Sequence, residues 1–173
     1  MIEKYRSKLI AGGVSGILLF AGFLMVLIAG YSPLGEASMM YYWIPVPILL
    51  RSLRKFRNDI HPEGLPYLAG LKQGGIITLI YACIYSTLIY IFCATLEPAF
   101  VETWLEQKIE MLNQVSDDGS FMSYSIEEVI ADWRQNKFFS LSFDEFWYKF
   151  IFGLIVTLIA SFVFRKPKIV IES

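Results

Sequence analysis

Four runs of this chain are apolar for long enough to reach across a bilayer: residues 9–31, 36–53, 74–96 and 143–164. No other feature restricts the fold so strongly. The hydrocarbon core is about 30 Å thick, and roughly 20 helical residues cross it. Inside it no water can satisfy a peptide group, so a segment that crosses alone must be a helix. The third and fourth runs lack the two-residue alternation of membrane barrel strands. Composition agrees, with 55% hydrophobic residues and a mean hydropathy of +0.51, against about 45–50% apolar residues in soluble domains. The first run follows a basic lead-in of Lys4, Arg6 and Lys8. It exceeds the ~7–15 apolar residues of a signal peptide and reads as an anchor.

The expected fold is therefore all-α: one membrane domain over residues 1–173 with four transmembrane helices. Its orientation follows from Lys and Arg, which favour the cytoplasmic side. The lead-in, the loop bearing Arg51, Arg54, Lys55, Arg57 and Lys72, and the end bearing Arg165, Lys166 and Lys168 fall on one side if four helices cross. Both termini are then cytoplasmic. The net charge of −1 gives no reason to expect nucleic acid as a partner.

The opposite side holds a tight turn at 32–35 and the segment 97–142. That segment carries Glu97, Glu102, Glu106, Glu110, Asp117, Asp118, Glu127, Glu128 and Asp132 against Lys108, Arg134 and Lys137. Pro98 suits a first helical turn, and Val101, Trp104, Leu105, Ile109 and Leu112 recur at helical spacing. A turn cluster at 117–120 follows, and then Ser125 and Glu128 form a capping box ahead of Ile126, Val129, Ile130 and Trp133. A second box, Ser142 with Glu145, would open the fourth membrane helix. Two amphipathic helices are expected between the third and fourth spans. Their carboxylates disfavour anionic lipid, so packing on protein is expected. Glu102, Trp104, Glu106, Glu110 and Trp133 form the candidate partner surface.

Few residues suggest chemistry. Glu36 begins the second run, where it is either an inward-facing intramembrane site or a carboxylate favoured by a helix N-terminus, the latter being preferred. Pro45 and Pro47 kink or break that run, and a structural kink is preferred over a transporter-type broken helix because no matching proline pair appears elsewhere. Small residues four apart allow close helix packing: Gly12 and Gly16; Gly74, Thr78, Ala82 and Ser86; Gly153, Thr157 and Ser161. The alternative is a polar pathway along Thr78, Tyr81, Tyr85, Ser86 and Tyr90. Asp59, His61 and Glu63 alternate in a loop, but their spacing suits no standard metal site. Cys83 and Cys93 read as two buried, unbonded thiols. Trp147 and Tyr148 read with Trp133 as interface anchors, and Lys149 as a residue that pairs with Glu145 or snorkels outward. Trp43 and Trp104 carry no cofactor box. No cofactor is expected.

These residues also resemble a known family, the bacterial membrane proteins catalogued as domain of unknown function 4199. The similarity rests on the turn Gly35-Glu36, on Phe56-Arg57-Asn58-Asp59 closing the second helix, and on the glycines from Gly64 through Gly74. It extends to Phe152-Gly153-Leu154-Ile155-Val156-Thr157-Leu158-Ile159 followed by Arg165-Lys166. Pro45 and Pro47 depart from the pattern. The resemblance implies a cytoplasmic-membrane protein without an established activity. Three functions fit: an accessory or assembly subunit without a catalytic site, meeting a membrane or periplasmic protein or a second copy of itself; a small transporter or channel acting as an oligomer; and, last, a membrane enzyme. A nucleophile–base pair or metal set is not visible, which places the enzyme third.

Overall fold

The computed structural model describes residues 2–34, 38–61, 64–96, 98–117 and 126–165. Glu36, Glu63 and Ser125 lie outside them. The described residues form helices without a strand: α1 (Ile2–Ile28), α2 (Met39–Tyr42), α3 (Pro45–Ile60), α4 (Tyr67–Thr95), α5 (Pro98–Asp117), α6 (Ile126–Gln135) and α7 (Lys137–Phe164). They group into two compact units, one of Met1–Tyr85 with Phe146–Ser173 and one of Ser86–Glu145.

Among the described residues three helices are long and apolar enough to cross a membrane: Arg6–Ile28 within α1, Tyr67–Thr95 and Lys137–Phe164. The run read as a second continuous span, 36–53, differs. It is divided into α2 and α3, with Trp43 and Ile44 between them. The prolines explain the division. Pro45 and Pro47 occupy the first turn of α3, where a missing N–H costs nothing, and their rings prevent α2 from continuing through them. From its seventh residue onward α3 carries Arg51, Arg54, Lys55 and Arg57, so its apolar part is short.

Helix ends follow local chemistry. Beyond α1, Gly30 adopts φ +83°; its N–H donates to Leu27 O at 2.9 Å and that of Tyr31 to Val26 O at 3.2 Å. This is the paired closure that a left-handed residue allows, and glycine enters that conformation without a Cβ penalty. Helix α7 starts at Lys137, ahead of the expected 143. Ser142 is consequently no cap: its hydroxyl donates to the Phe138 carbonyl one turn back, at 2.9 Å. An interior serine satisfies itself this way, and the sequence pattern of a capping box does not distinguish the two situations.

Glycines set the helix contacts of the first unit. A Cβ on Gly12 would meet Ile80 and the Ile77 carbonyl, and one on Gly16 would meet Ile84 and the Tyr81 carbonyl. Residue numbers rise together along this seam, so α1 and α4 run parallel. Gly74 faces Thr157, Gly70 faces Ser161, and Gly153 faces Thr78 and Tyr81; α7 therefore runs antiparallel to α4. Gly22 faces Tyr41 and Ile44, while Arg6 and Ile10 share a cleft with Ile48, Arg51 and Lys55. The chain between α1 and α4 thus returns antiparallel to α1.

Large apolar side chains face outward along the long helices, among them Leu9, Ile17, Met25, Leu79, Ile91, Ile155 and Ile159. Water would penalise such surface, whereas lipid tails accommodate it. The same reasoning corrects the reading of the cysteines. Cys93 is buried but Cys83 is exposed, and they form no disulfide; an apolar sequence context does not tell a lipid-facing position from a protein-facing one.

A lysine among tyrosines as the candidate functional site

On α4, Thr78, Tyr81, Ala82 and Tyr85 follow the spacing of one helix face, and all four are buried. On α7, Lys149, Gly153, Thr157 and Ser161 follow one another at intervals of four and are likewise buried. The two faces meet. Thr78 Oγ1 and Thr157 Oγ1 are 3.5 Å apart, and the Tyr81 hydroxyl donates to the Lys149 carbonyl at 3.0 Å. Gly153 makes the second bond possible, because a Cβ there would occupy the place of the Tyr81 hydroxyl.

Helix α2 completes the site. The Nζ of Lys149 lies 3.6 Å from the ring centroid of Tyr42, 4.9 Å from that of Tyr85 and 5.2 Å from that of Tyr41. Lys149 is 1% exposed. Of its two expected readings, pairing with Glu145 or snorkelling outward, the second does not hold, since three aromatic faces offer the ammonium an electrostatic partner within the protein. Each such contact contributes about 2 kcal/mol where water is excluded. The rings are themselves held: the Tyr41 hydroxyl donates to the Pro33 carbonyl at 2.7 Å and stands 3.2 Å from the Tyr85 hydroxyl. Tyr41 and Tyr42 are the last two residues of α2, ahead of the division from α3. The arrangement, a cation among π faces beside two linked tyrosine hydroxyls, is equipped for holding a buried positive charge.

The polar residues read from sequence as a pathway are thus partly gathered here: Thr78, Tyr81 and Tyr85 share the site. Ser86 and Tyr90 belong to the second unit, the first half-buried and the second exposed. Lys149, Tyr41 and Tyr42 were not singled out together by sequence reasoning. The available signal was one lysine inside an apolar run together with tyrosines on successive turns of another. Among the described residues no three His, Cys, Asp or Glu side chains could hold a metal. Asp59 is exposed, and the His61 ring packs edge-on against Phe56 with centroids 5.5 Å apart.

In the second unit the candidate partner surface is partly used internally. Lys108 Nζ lies 4.9 Å from the Trp104 ring centroid and 4.2 Å from that of Trp133, and it pairs with Asp144. Lys137 pairs with Glu102. Val101, Leu105 and Leu141 are buried, whereas Glu106 and Glu110 are exposed.

The class so defined is an all-helical protein with several helices of membrane-spanning length and hydropathy. Within it, the family model described as "Protein of unknown function (DUF4199)" matches residues 11–166, and the chain belongs to that family. No curated protein and no solved structure matches it.

Proposed function

We propose that the chain crosses the bacterial cytoplasmic membrane four times, with both ends in the cytoplasm, and serves there as an accessory or assembly subunit without a catalytic site. Direction supports four crossings. Helices α1 and α4 run parallel, so a chain that crosses with both must return between them through α2 and α3. The basic clusters then share one side.

The accessory role rests on one observation: α5 exposes Glu106 and Glu110 while the second unit ties itself together through Trp104, Lys108, Trp133 and two ion pairs. A surface fixed in this way and rich in carboxylates complements a basic partner, either a membrane or periplasmic protein or a second copy of the chain. Affinity purification in mild detergent, followed by mass spectrometry, provides the test. Charge reversal by Glu106→Lys and Glu110→Lys should release a co-purifying protein and leave thermal stability within about 1 kcal/mol of the parent, as for other surface changes. Retention of every partner by the variant, or a parent with none, removes the accessory reading.

Lys149 favours a second reading, a small transporter or channel. A buried cation in a span is costly and commonly marks a substrate or proton route, and here a divided helix supplies its cage. Flux into vesicles that Lys149→Met abolishes would establish this reading in place of the first.

A further inference from the structure

A cleft of about 640 Å³ opens between α1 and α3, with Gln73 of α4 at its wall. Among the described residues three cationic side chains line it, Arg6, Arg51 and Lys55, against one carboxylate, that of Asp59. Gln73 is 3% exposed, and its Oε1 accepts no hydrogen bond from the described residues. A buried acceptor of this kind ordinarily finds a donor, and each one left without calls for an explanation. The remaining wall is apolar, with Ile10, Ile48 and Phe56.

Position identifies the occupant. Arg6 begins the apolar span of α1, so the cleft lies where hydrocarbon meets headgroups if that helix crosses the membrane. Its apolar wall does not end at Ile10: Val14 and Ile17, on the same face, continue as exposed side chains along α1. A free phosphate would use the cations and leave this wall unused. A phospholipid would use both, placing charge in the cleft and a chain along the helix. Basic pockets between membrane helices recognise anionic headgroups in this way. We infer that the cleft seats the phosphodiester headgroup of an anionic phospholipid, with Arg6, Arg51 and Lys55 on the phosphate and Gln73 accepting from a headgroup hydroxyl. Two cations in excess of Asp59 select against a zwitterionic headgroup, which brings a positive charge of its own.

The inference rests on α1 crossing the membrane, and resistance of the membrane-bound chain to alkaline carbonate extraction tests that premise separately. The binding test is native mass spectrometry of the full-length chain in detergent. It is titrated with palmitoyl-oleoyl phosphatidylglycerol, with phosphatidylcholine of the same chains, and with glycerol 3-phosphate as a soluble headgroup. Phosphatidylglycerol should bind at least about ten-fold more tightly than phosphatidylcholine. Arg51→Gln with Lys55→Gln should remove most of that preference, while Arg54→Gln, on the same helix but outside the cleft, should preserve it. Should the double variant fail to fold, each single substitution is expected to lower the preference in part. Equal binding of the two lipids, or an unchanged preference in the Arg51 and Lys55 variants, overturns the inference. So does an equal loss in Arg54→Gln, which would indicate diffuse charge. Displacement by glycerol 3-phosphate at the concentrations at which the lipid binds would mark a soluble phosphate site and overturn the lipid assignment.

Discussion

Lys149 shows how a charged side chain is retained inside an apolar helix. Its stem is enclosed, and its ammonium meets three tyrosine faces, the nearest centroid 3.6 Å away. The sign of the charge is therefore essential to the site. Lys149→Met keeps most of the length of the side chain and removes the charge; relief of the buried ammonium's desolvation offsets most of the lost ring contacts, leaving a net cost of about 2 kcal/mol or less. Lys149→Glu directs a carboxylate at the negative faces of the same rings and leaves a buried charge without a partner, costing more than about 3 kcal/mol. Thermal unfolding of the purified variants measures the difference. Equal losses for Met and Glu would show that packing alone matters here. Tyr42→Phe, which keeps a π face, is expected to cost less than Tyr42→Leu.

At the scale of elements, the seam between α4 and α7 depends on small residues placed opposite larger ones. Gly153 lies against Thr78 and Tyr81, whereas the nearest atom to a Cβ on Gly13 would be Ile84 Cδ1 at 3.9 Å, an ordinary contact. Gly153→Val must displace the Tyr81 hydroxyl from the Lys149 carbonyl, and overpacking of this kind costs about 1–3 kcal/mol. Gly13→Ala should be neutral or slightly stabilising, since glycine inside a helix is itself unfavourable by about 0.5–1 kcal/mol. Thermal scans of the two variants in one detergent decide the matter. Comparable losses in both would mean that the seam is not the tight contact described. Breaks between elements are equally local in origin: Pro45 and Pro47 begin α3, and Gly30 closes α1.

For the molecule as a whole, direction and charge lead to one expected topology. Single cysteines introduced into a variant lacking Cys83 and Cys93 test it with an impermeant maleimide on intact cells. Cysteines at Ser120 and Ser123 should be labelled from outside, and cysteines at Asn58 and Ser173 should not. Labelling of Asn58 from outside would sink the four-crossing arrangement. A chain crossing only three times would instead place Ser173 opposite the N-terminus. The parent cysteines have to be replaced because Cys83 is exposed on α4.

What the sequence determined by itself follows from short windows of residues. The apolar runs, the segregation of Lys and Arg, the break at Pro45 and Pro47 and the two helices of the 98–135 region are properties of neighbours along the chain, set by solvent preference and backbone geometry. The family is legible in the same way, since its features are contiguous. Tertiary structure alone decided the rest. Ser142 looks like a cap until α7 is seen to start before it. Glu102 and Trp104 look like free partner surface until Lys137 and Lys108 are found against them. Lys149 reads as a residue that pairs with Glu145 or snorkels until α2 and α4 bring Tyr41, Tyr42 and Tyr85 around it. The physical reason is common to all three. Whether a polar group faces outward or inward depends on the partners available to it in space, and here those partners lie on other helices, far away along the chain.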